Sequence, residues 1–406
     1  MSKQQDLDLL IVGGGLVGCS LALALRSSDC RVALLEAQAG GAQSPPSFDQ
    51  RNLALARASL NALSALGVLQ RLSRPPAPIE RIHISRQGDF GAVRLAAADH
   101  QVDALGGVVM ARDLGQALQS ACADLPFERL APATLVAAER AESGWTVQLS
   151  TPAGLRQLHT RLLVGADGTN SAVRAALGIS VATHDYLQDL LVCSLQTGQK
   201  PAGQAWERFT DHGPVALLPR NDGRFGAVCA VPRDQSAAVQ AKDDSAYLEY
   251  LQQRFGWRAG RFLGVGKRVA YPLTSLTAER LVGERAVLVG NAAQTLHPVG
   301  AQGFNLGLRD ALCLAECIAG HEDPGSEALL ADYAARRKAD RQQTLGFSDG
   351  LARLTAQTGS LAHLGRSLGL LTLERSVSLK ARVAAGAMGF RGQVPVLARA
   401  GQGVGQ

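Results

Sequence analysis

The sequence predicts an α/β protein with three parts. These are a Rossmann-like domain, an inserted and mostly antiparallel β-sheet domain that is α+β in character, and a C-terminal helical region. Three observations predict this fold. An apolar strand over residues 7–12 runs directly into a glycine-rich turn and a helix. Two later apolar strands end in polar motifs, at Asp167 and at Asn291. Short runs with the alternation of half-buried strands lie between the first and third motifs.

The first motif is the sequence Gly13-Gly14-Gly15-Leu16-Val17-Gly18, which stands between a predicted strand and a predicted helix. In this context Gly13 permits a tight turn, Gly15 lets the backbone approach a pyrophosphate, and Gly18 lets the helix pack closely on the sheet. A second strand over residues 31–35 ends at Glu36, where an acid accepts hydrogen bonds from ribose hydroxyls. The candidate dinucleotide contacts here are Gly13, Gly15, Leu16, Val17, Gly18, Glu36 and Ala37.

The second and third motifs place polar groups at the carboxyl ends of two further strands. Residues 161–174 contain Asp167-Gly168, and residues 286–310 contain Gly290-Asn291 followed by a loop and a long helix. Open α/β sheets bind ligands at this edge. Three such strand ends can converge on one extended dinucleotide.

These three motifs, in this order and at about this spacing, resemble those of the aromatic-hydroxylase class of FAD monooxygenases. The resemblance implies a para-hydroxybenzoate hydroxylase-like fold, non-covalently bound FAD, NAD(P)H as a transient reductant and O₂ as co-substrate. This chain has Asn291 and Gln294 where the class usually has Asp and His. Asn291 still offers a hydrogen-bond acceptor to the ribityl chain.

Residues 290–298 and 302–307, with 48–51, 207–214 and 255–258, resemble the ubiquinone-biosynthesis branch of that class. The likeness runs from about residue 8 to residue 390 and implies ring hydroxylation of a polyprenylated methoxyphenol through a flavin C4a-hydroperoxide. Residues 299–301 differ from the branch by an exchange of small residues. The flavin contacts implied by the resemblance are Arg51, Arg112, Asp167, Gly168, Asn291, Gly303, Phe304 and Asn305. For Arg51 and Arg112, the alternative interpretation is an ordinary surface arginine.

His297 and Pro298 are the candidates for the environment of the flavin ring. His297 has a side chain suited to taking a proton from a phenol. We favour a role in which it shapes the loop against the flavin, so no catalytic base is assigned.

The chain has 406 residues, of which 46% are hydrophobic and 19% charged, which indicates two or three globular domains. We predict a discontinuous FAD-binding domain over 1–75, 106–180 and 275–345, and a substrate-binding sheet domain over 76–105 and 181–274. Residues 346–406 are the C-terminal helical basic segment.

The net charge of +6 lies in residues 351–406, and the rest of the chain is neutral. With 4% aromatic residues there is neither a phosphate-binding stripe nor a base-stacking platform, so nucleic acid is excluded as a partner. The basic segment carries Leu364, Leu368 and Leu371 at helical spacing. We expect a docked helix with a solvated basic face. The alternative is contact with a membrane surface or with a ubiquinone-biosynthesis assembly, because the implied substrate is lipophilic.

Seven cysteines without a CxxC pair indicate neither a disulfide framework nor a zinc site, so we expect no metal and a reducing compartment. The uncharged residues 9–25 are interrupted by three glycines and read as strand, turn and helix. We expect a cytoplasmic protein. If the basic segment contacts a membrane, we expect the protein to be peripheral at the inner face of that membrane. A homo-oligomer stays open.

Two other functions stay open. One is a flavin hydroxylase that acts at another ring carbon of a quinone precursor. The other is a flavin-binding scaffold subunit of the biosynthetic assembly.

Overall fold

The computed structural model describes residues 6–39, 51–297, 302–356 and 359–399. Two large β-sheets, a small third sheet and a set of covering helices make up these residues. A parallel sheet of the Rossmann type, an antiparallel sheet and C-terminal helices are the fold class that the sequence predicts.

Strand β1 (Asp6–Val12) is central in the first sheet. It pairs in parallel with β2 (Val32–Leu35) on one side and with β11 (Gly154–Gly165) on the other. Its residues Leu9 and Leu10 are fully buried, as expected for a strand that is covered on both faces. The other strands of this sheet are β8 (Glu128–Leu130), β9 (Thr134–Ala141), β10 (Gly144–Thr151), β18 (Val282–Gly283) and β19 (Ala286–Leu288).

Strands β8, β2, β1, β11 and β19 are successive parallel neighbours, so their carboxyl ends meet at one edge. Helix α1 (Leu16–Ala24) packs against α3 (Ala111–Ala123) and α7 (Gln302–Ala319), and α8 (Glu327–Ala356) packs against α7. The shorter helices are α2 (Arg57–Ala65), α4 (Ala172–Ala176) and α11 (Val396–Arg399).

The second sheet has the order β20-β17-β12-β15-β14-β13-β5-β6, with β16 beside β12. Its pairs are antiparallel, except that β13 runs parallel to β5. Its strands are β5 (Arg81–Arg86), β6 (Ala92–Ala96), β12 (Val181–Thr197), β13 (Gln204–Thr210), β14 (Gly213–Pro219), β15 (Phe225–Pro232), β16 (Phe262–Val265), β17 (Val269–Ala278) and β20 (Gln294–Thr295).

Side-chain alternation gives this sheet two different faces. Leu191 and Leu195 pack with Tyr247 and Phe255 of α6 (Asp244–Phe255) in a core on the outer face, which α5 (Arg233–Gln240) also covers. The intervening residues of β12 point to the opposite, inner face. A three-stranded sheet of β3 (Asn52–Ala56), β7 (Gly106–Met110) and β4 (Ala77–Ile79) completes the strands.

The predicted helical region 361–390 consists of two helices, α9 (Ser360–Arg375) and α10 (Val377–Ala387). They separate at Ser376, whose side chain accepts a hydrogen bond from the backbone of Leu379 and caps α10. Helix α9 packs on β6, and its Arg366 forms a buried ion pair with Asp89 at 3.2 Å. In the described ranges, no helix combines the length and the apolar character that a membrane crossing requires.

Candidate functional site

The turn after β1 has a backbone that only glycine fits. Gly13 has a φ of +111°, and a Cβ built on it would lie 2.4 Å from the carbonyl oxygen of Ala166. A Cβ on Gly18 would lie 1.9 Å from the carbonyl oxygen of Gly13, so α1 touches the turn. Gly15 is the N-cap of α1 in an extended conformation without a side-chain capping bond. The first amides of α1 therefore remain available to an anion.

Glu36 ends the second strand as a buried carboxylate that faces this turn. Its Oε2 accepts a hydrogen bond from the Gly14 amide, and its Oε1 accepts one from the Gln38 amide, both at 2.9 Å. Each carboxylate oxygen keeps a further lone pair. Glu36 can therefore hold the turn and still accept hydrogen bonds from ribose hydroxyls.

The Asp-Gly motif lies at the same edge. The Asp167 carboxylate accepts hydrogen bonds from the Ser171 hydroxyl at 2.5 Å and from the Val173 amide at 3.1 Å, and so organises the start of α4. Gly168 has a φ of +82°, and a Cβ there would meet nothing within 4 Å. This turn therefore leaves open space beside the cavity.

The third motif is joined to the second by direct contacts. Arg174 donates to the carbonyl oxygen of Ala292 at 2.9 Å, and the hydroxyls of Thr169 and Thr295 lie 2.9 Å apart. Asn291 is exposed at the cavity wall. The two strand ends are thus fixed relative to each other.

Gln294, which stands where the class usually has His, is buried and acts within the protein. Its amide nitrogen donates to Asp310 at 2.7 Å, and its oxygen accepts from Arg341 at 2.9 Å. Asp310 also pairs with Arg337 at 2.7 Å, and Arg337 pairs with Asp340 at 2.8 Å. The loop of the third motif is therefore attached to α7 and α8 through a buried ionic network.

Arg309 extends that network by an ion pair with Asp340 at 2.8 Å. Burial raises the pKa of Asp340, but the guanidinium groups of Arg309 and Arg337 lower it by more, so the pKa of Asp340 lies below its ordinary value. The carboxylate is therefore held ionised in the interior. Sequence reasoning missed this network, although Arg337 and Asp340 stand at i, i+3 spacing on one helix.

The motifs surround a cavity of about 830 Å³. This volume lies toward the upper end of the roughly 300–1,000 Å³ typical of ligand pockets. At one end are Glu36 and Ala37, and at the other is an apolar wall from the inner face of the second sheet. The members of that wall are Leu190, Val192, Ala216, Leu218 and Val228.

Most of the candidate contacts line this cavity. They are Gly13, Gly15, Leu16, Val17, Glu36, Ala37, Arg51, Asp167, Gly168, Asn291, Gly303 and Phe304. The guanidinium of Arg51 lies 4.9 Å from the ring centre of Tyr271, another lining residue, which sequence reasoning did not identify.

The structure places the other candidates elsewhere. Gly18 lies behind the turn, and Arg112 is an exposed residue in the first turn of α3, 3.3 Å from Asp113. His297 is buried, and its ring stacks edge to face with Tyr186 at 4.7 Å, outside the lining of the cavity. Pro298 lies outside the described residues, as do residues 48–50 and 299–301.

Asn305 of α7 lies behind the cavity wall and joins α7 to β3 through hydrogen bonds. Its oxygen accepts from the Ala56 amide at 2.9 Å and from the Ser59 hydroxyl at 2.7 Å, while its nitrogen donates to the Ala54 carbonyl oxygen at 3.0 Å. These bonds position the part of the wall that Gly303 and Phe304 form directly before Asn305 in α7.

The donor set fits FAD. The unobstructed amides of α1 suit a pyrophosphate, and Glu36 suits a ribose. The side-chain oxygen of Asn52, a lining residue, is buried and has no hydrogen-bond partner among the described residues. A cavity of about 830 Å³ that is lined by the turn after β1, by Glu36 and by the apolar inner face of the second sheet has room and chemistry for a dinucleotide.

Comparison with known proteins gives one family and several relatives. The FAD binding domain model matches residues 6–348. The chain is 35% identical to ubiquinone hydroxylase UbiL of Rhodospirillum rubrum, with 96% of this chain and 91% of that protein covered. It is 30% identical to the 3-demethoxyubiquinol 3-hydroxylase of Escherichia coli, with 95% and 99% covered.

Solved structures show the same fold. The p-nitrophenol 4-monooxygenase PnpA from Pseudomonas putida superposes with a TM-score of 0.78 at 18% identity, covering 96% of this chain and 99% of that one. PqsL from Pseudomonas aeruginosa gives a TM-score of 0.75 at 23% identity, covering 91% and 100%. The predicted para-hydroxybenzoate hydroxylase-like fold is confirmed.

Proposed function

The chain belongs to the FAD binding domain family and is an FAD-dependent monooxygenase, and on this premise we propose that it hydroxylates the ring of a polyprenylated methoxyphenol in ubiquinone biosynthesis. Two relatives that cover nearly the whole chain support the pathway, since both are named as hydroxylases of ubiquinone or of a demethoxyubiquinol. NAD(P)H and O₂ are the co-substrates of this chemistry.

The observation that carries the proposal is the apolar wall at the flavin end of the cavity. Leu190, Val192 and Leu218 present aliphatic side chains, and Tyr271 presents an aromatic ring beside Arg51. Such a wall favours an aromatic substrate with an aliphatic tail, because burying apolar surface stabilises the complex by about 25 cal/mol per Å². A strongly charged substrate would find few partners there.

FAD, when bound, supplies the reduction by NAD(P)H and the activation of O₂. The chain's own residues bind and orient the reactants. The amides of α1 would hold the pyrophosphate, Glu36 the adenosine ribose, and Asn291 the ribityl chain. The inner face of the second sheet excludes water from the reacting ring.

Which ring carbon is hydroxylated is a second question within the same proposal. The E. coli relative is named for hydroxylation of 3-demethoxyubiquinol, whereas the motif resemblance implies a methoxyphenol. A phenol and a demethoxyquinol differ in their ring substituents, so a product analysis separates them.

We also propose that the C-terminal segment contacts a membrane surface. Leu364 and Leu368 of α9 are 49% and 52% exposed, and Val377 of α10 is 84% exposed. Arg375 of α9 and Arg382 of α10 are exposed on the same two helices. Apolar side chains flanked by cations suit an interfacial helix, and such a position would bring the enzyme to a lipophilic substrate.

Turnover with a short-chain 2-prenyl-6-methoxyphenol tests the proposed reaction. The FAD-loaded protein is given NADH or NADPH in air with isotope-labelled O₂, and the product is identified by mass and NMR. Phenol-dependent NAD(P)H oxidation with one labelled oxygen in the ring supports the proposal. Turnover with a demethoxyquinol but not with the methoxyphenol would assign the demethoxyquinol as the substrate. Bound FAD without turnover of either compound would overturn the proposed function.

A further inference from the structure

A second, smaller cavity of about 140 Å³ adjoins the flavin end of the main cavity. The two cavities share Ala54, Ile79, Ile82 and Glu207 as lining residues. Three of these are aliphatic, so Glu207 is the one ionisable side chain that the described part of the chain contributes to the shared wall. The smaller cavity is also lined by aliphatic side chains of β5, β6 and α10, and by polar side chains that include Asn305, Thr344, Arg309 and Arg391.

Glu207 reaches this place because of its position in β13. In the sheet it is aligned with Ala216 of β14 and with Ile84 of β5. Its neighbour Trp206 packs against Phe255 on the outer face. Alternation along the strand therefore turns Glu207 to the inner face, toward the FAD-binding domain.

The carboxyl of Glu207 has no hydrogen-bond or ion-pair partner among the described residues. Burial alone raises the pKa of Glu207 to about 7 from an ordinary value of 4.5. Leaving a carboxyl in an aliphatic wall without a partner costs stability. A half-buried carboxyl of this kind, which faces a binding cavity without a partner, indicates a ligand that completes its hydrogen bonds.

The charged groups that face the same space do not neutralise Glu207. Arg309 of α7 and Arg391 line the smaller cavity, and Arg309 is held by Asp340 at 2.8 Å. Arg51 lines the larger cavity against Tyr271. Burial is accordingly what shifts the pKa of Glu207.

We propose that Glu207 is the catalytic base that accepts the hydroxyl proton of the substrate phenol. This inference rests on the proposed function. The O–H bond of the phenol breaks, its electron pair stays on the phenol oxygen, and the proton forms an O–H bond with the Glu207 carboxylate. The resulting phenolate has a more electron-rich ring, which takes up one oxygen atom from O₂.

The proton balance closes within one turnover. Once the ring carbon carries the new hydroxyl, the hydrogen bonded to that carbon leaves as a proton and the aromatic ring is restored. Glu207 then returns the proton it accepted to the phenol oxygen. The overall reaction consumes the phenol, O₂, NAD(P)H and one proton, and yields the dihydroxy product, NAD(P)⁺ and water. Glu207 is a carboxylate again at the end of the turnover, as it was at the start.

A binding experiment without turnover tests this role. The oxidised holoenzyme is mixed with 4-nitrophenol, and ionisation of the bound probe is followed through the absorbance of its phenolate from about pH 5 to about pH 9. The variants are Glu207→Gln and, as a matched control, Glu142→Gln, which alters an exposed residue beyond β9.

If Glu207 accepts the phenol proton, the bound probe and Glu207 share one proton as a coupled pair, and phenolate absorbance appears in two steps as pH rises. We therefore expect two steps in the wild type and in Glu142→Gln, and a single ionisation of the bound probe in Glu207→Gln, which has no proton acceptor at this position. Identical ionisation in all three proteins would overturn the role of Glu207 while leaving the proposed function intact.

Turnover gives the second readout. The kcat/KM of the wild type should rise with pH through a group near the pKa of Glu207, and Glu207→Gln should lose this dependence and fall about 100-fold or more. Glu207→Asp should recover part of the rate. A Glu207→Gln enzyme with an unchanged pH profile would contradict the proposal, whereas absence of phenol binding or turnover in the wild type would refute the proposed function itself.

Discussion

The side-chain amide of Gln294 donates a 2.7 Å hydrogen bond to Asp310, and through it the loop of the third motif is attached to α7. The same amide accepts from Arg341 of α8. A residue that the class usually supplies as histidine is thus, in this chain, part of a buried ionic network and contributes to the rigidity of the cavity wall.

We predict that Gln294→Leu lowers the free energy of unfolding by about 1–3 kcal/mol, since it leaves Asp310 and Arg341 each with one bond fewer in a buried place. Thermal unfolding of the FAD-loaded protein measures the change. Gln253→Leu, at an exposed position of α6, is the matched control and should have little effect. Equal unfolding temperatures for the two variants would show that the bond contributes nothing.

Gly18→Ala should weaken FAD binding about tenfold or more. Its added Cβ falls 1.9 Å from the Gly13 carbonyl oxygen, so the helix must move away from the turn that binds the pyrophosphate. Titration of the apoprotein with FAD measures the affinity. Gly369→Ala, in α9 with open space around it, should bind FAD as the wild type does. Unaltered affinity in Gly18→Ala would contradict the described packing.

Glu207→Gln should stabilise the protein, and more at high pH than at low pH. Because burial raises the pKa of Glu207 to about 7, the folded state keeps a proton that the unfolded state releases above about 4.5. The free energy of unfolding of the wild type therefore falls as pH rises from about 4.5 to about 7. The glutamine variant has no titrating carboxyl here, so its free energy of unfolding does not fall for this reason.

The advantage of Glu207→Gln should be small at about pH 4 and approach about 3 kcal/mol at about pH 8. Denaturant unfolding at several pH values measures it. Glu142→Gln, at an exposed position, provides the comparison. A constant difference between wild type and Glu207→Gln at all pH values would show that the carboxyl is not desolvated.

Leu364→Glu combined with Leu368→Glu should reduce binding to anionic vesicles by about tenfold or more, because both side chains lie on the exposed face of α9. Co-sedimentation with phosphatidylglycerol-containing vesicles measures it. Val136→Glu changes another exposed apolar residue, on β9, and should leave binding unaltered. Equal sedimentation of both variants would count against the proposed membrane contact.

Local motifs were the predictable part of the site. The contacts of Gly13 and Gly18 lie within one strand–turn–helix unit, and glycine spacing encodes that geometry directly. The Asp-Gly and Gly-Asn motifs were found for the same reason, since each directly follows an apolar strand.

Roles that depend on distant chain segments were not predictable. Asn305 was expected to contact the flavin, but its amide is engaged by Ala54, Ala56 and Ser59, far away in sequence. Leu364 and Leu368 form an apolar pair at helical spacing, yet α9 docks through Arg366, Leu370 and Leu373 instead. Which face of a helix is buried depends on the partner surface, which periodicity does not reveal.

Glu207 lay within a motif that the sequence singled out, but its role was not recognised. The signal was present in the alternation Ala205, Glu207, Phe209, which places an acid between two buried residues on one face of a strand. Only the sheet order shows that this face lies against the cavity.

The FAD site is built from segments that are far apart in the sequence. β1 pairs with β11, β11 pairs with β19, which lies more than 100 residues further along the chain, and α7, which follows β19, packs on α1. Contacts so distant in sequence close slowly and at a high entropic cost. During synthesis a nascent chain therefore has no complete FAD site until α7 has left the ribosome, and acquisition of the cofactor is a late event in its maturation.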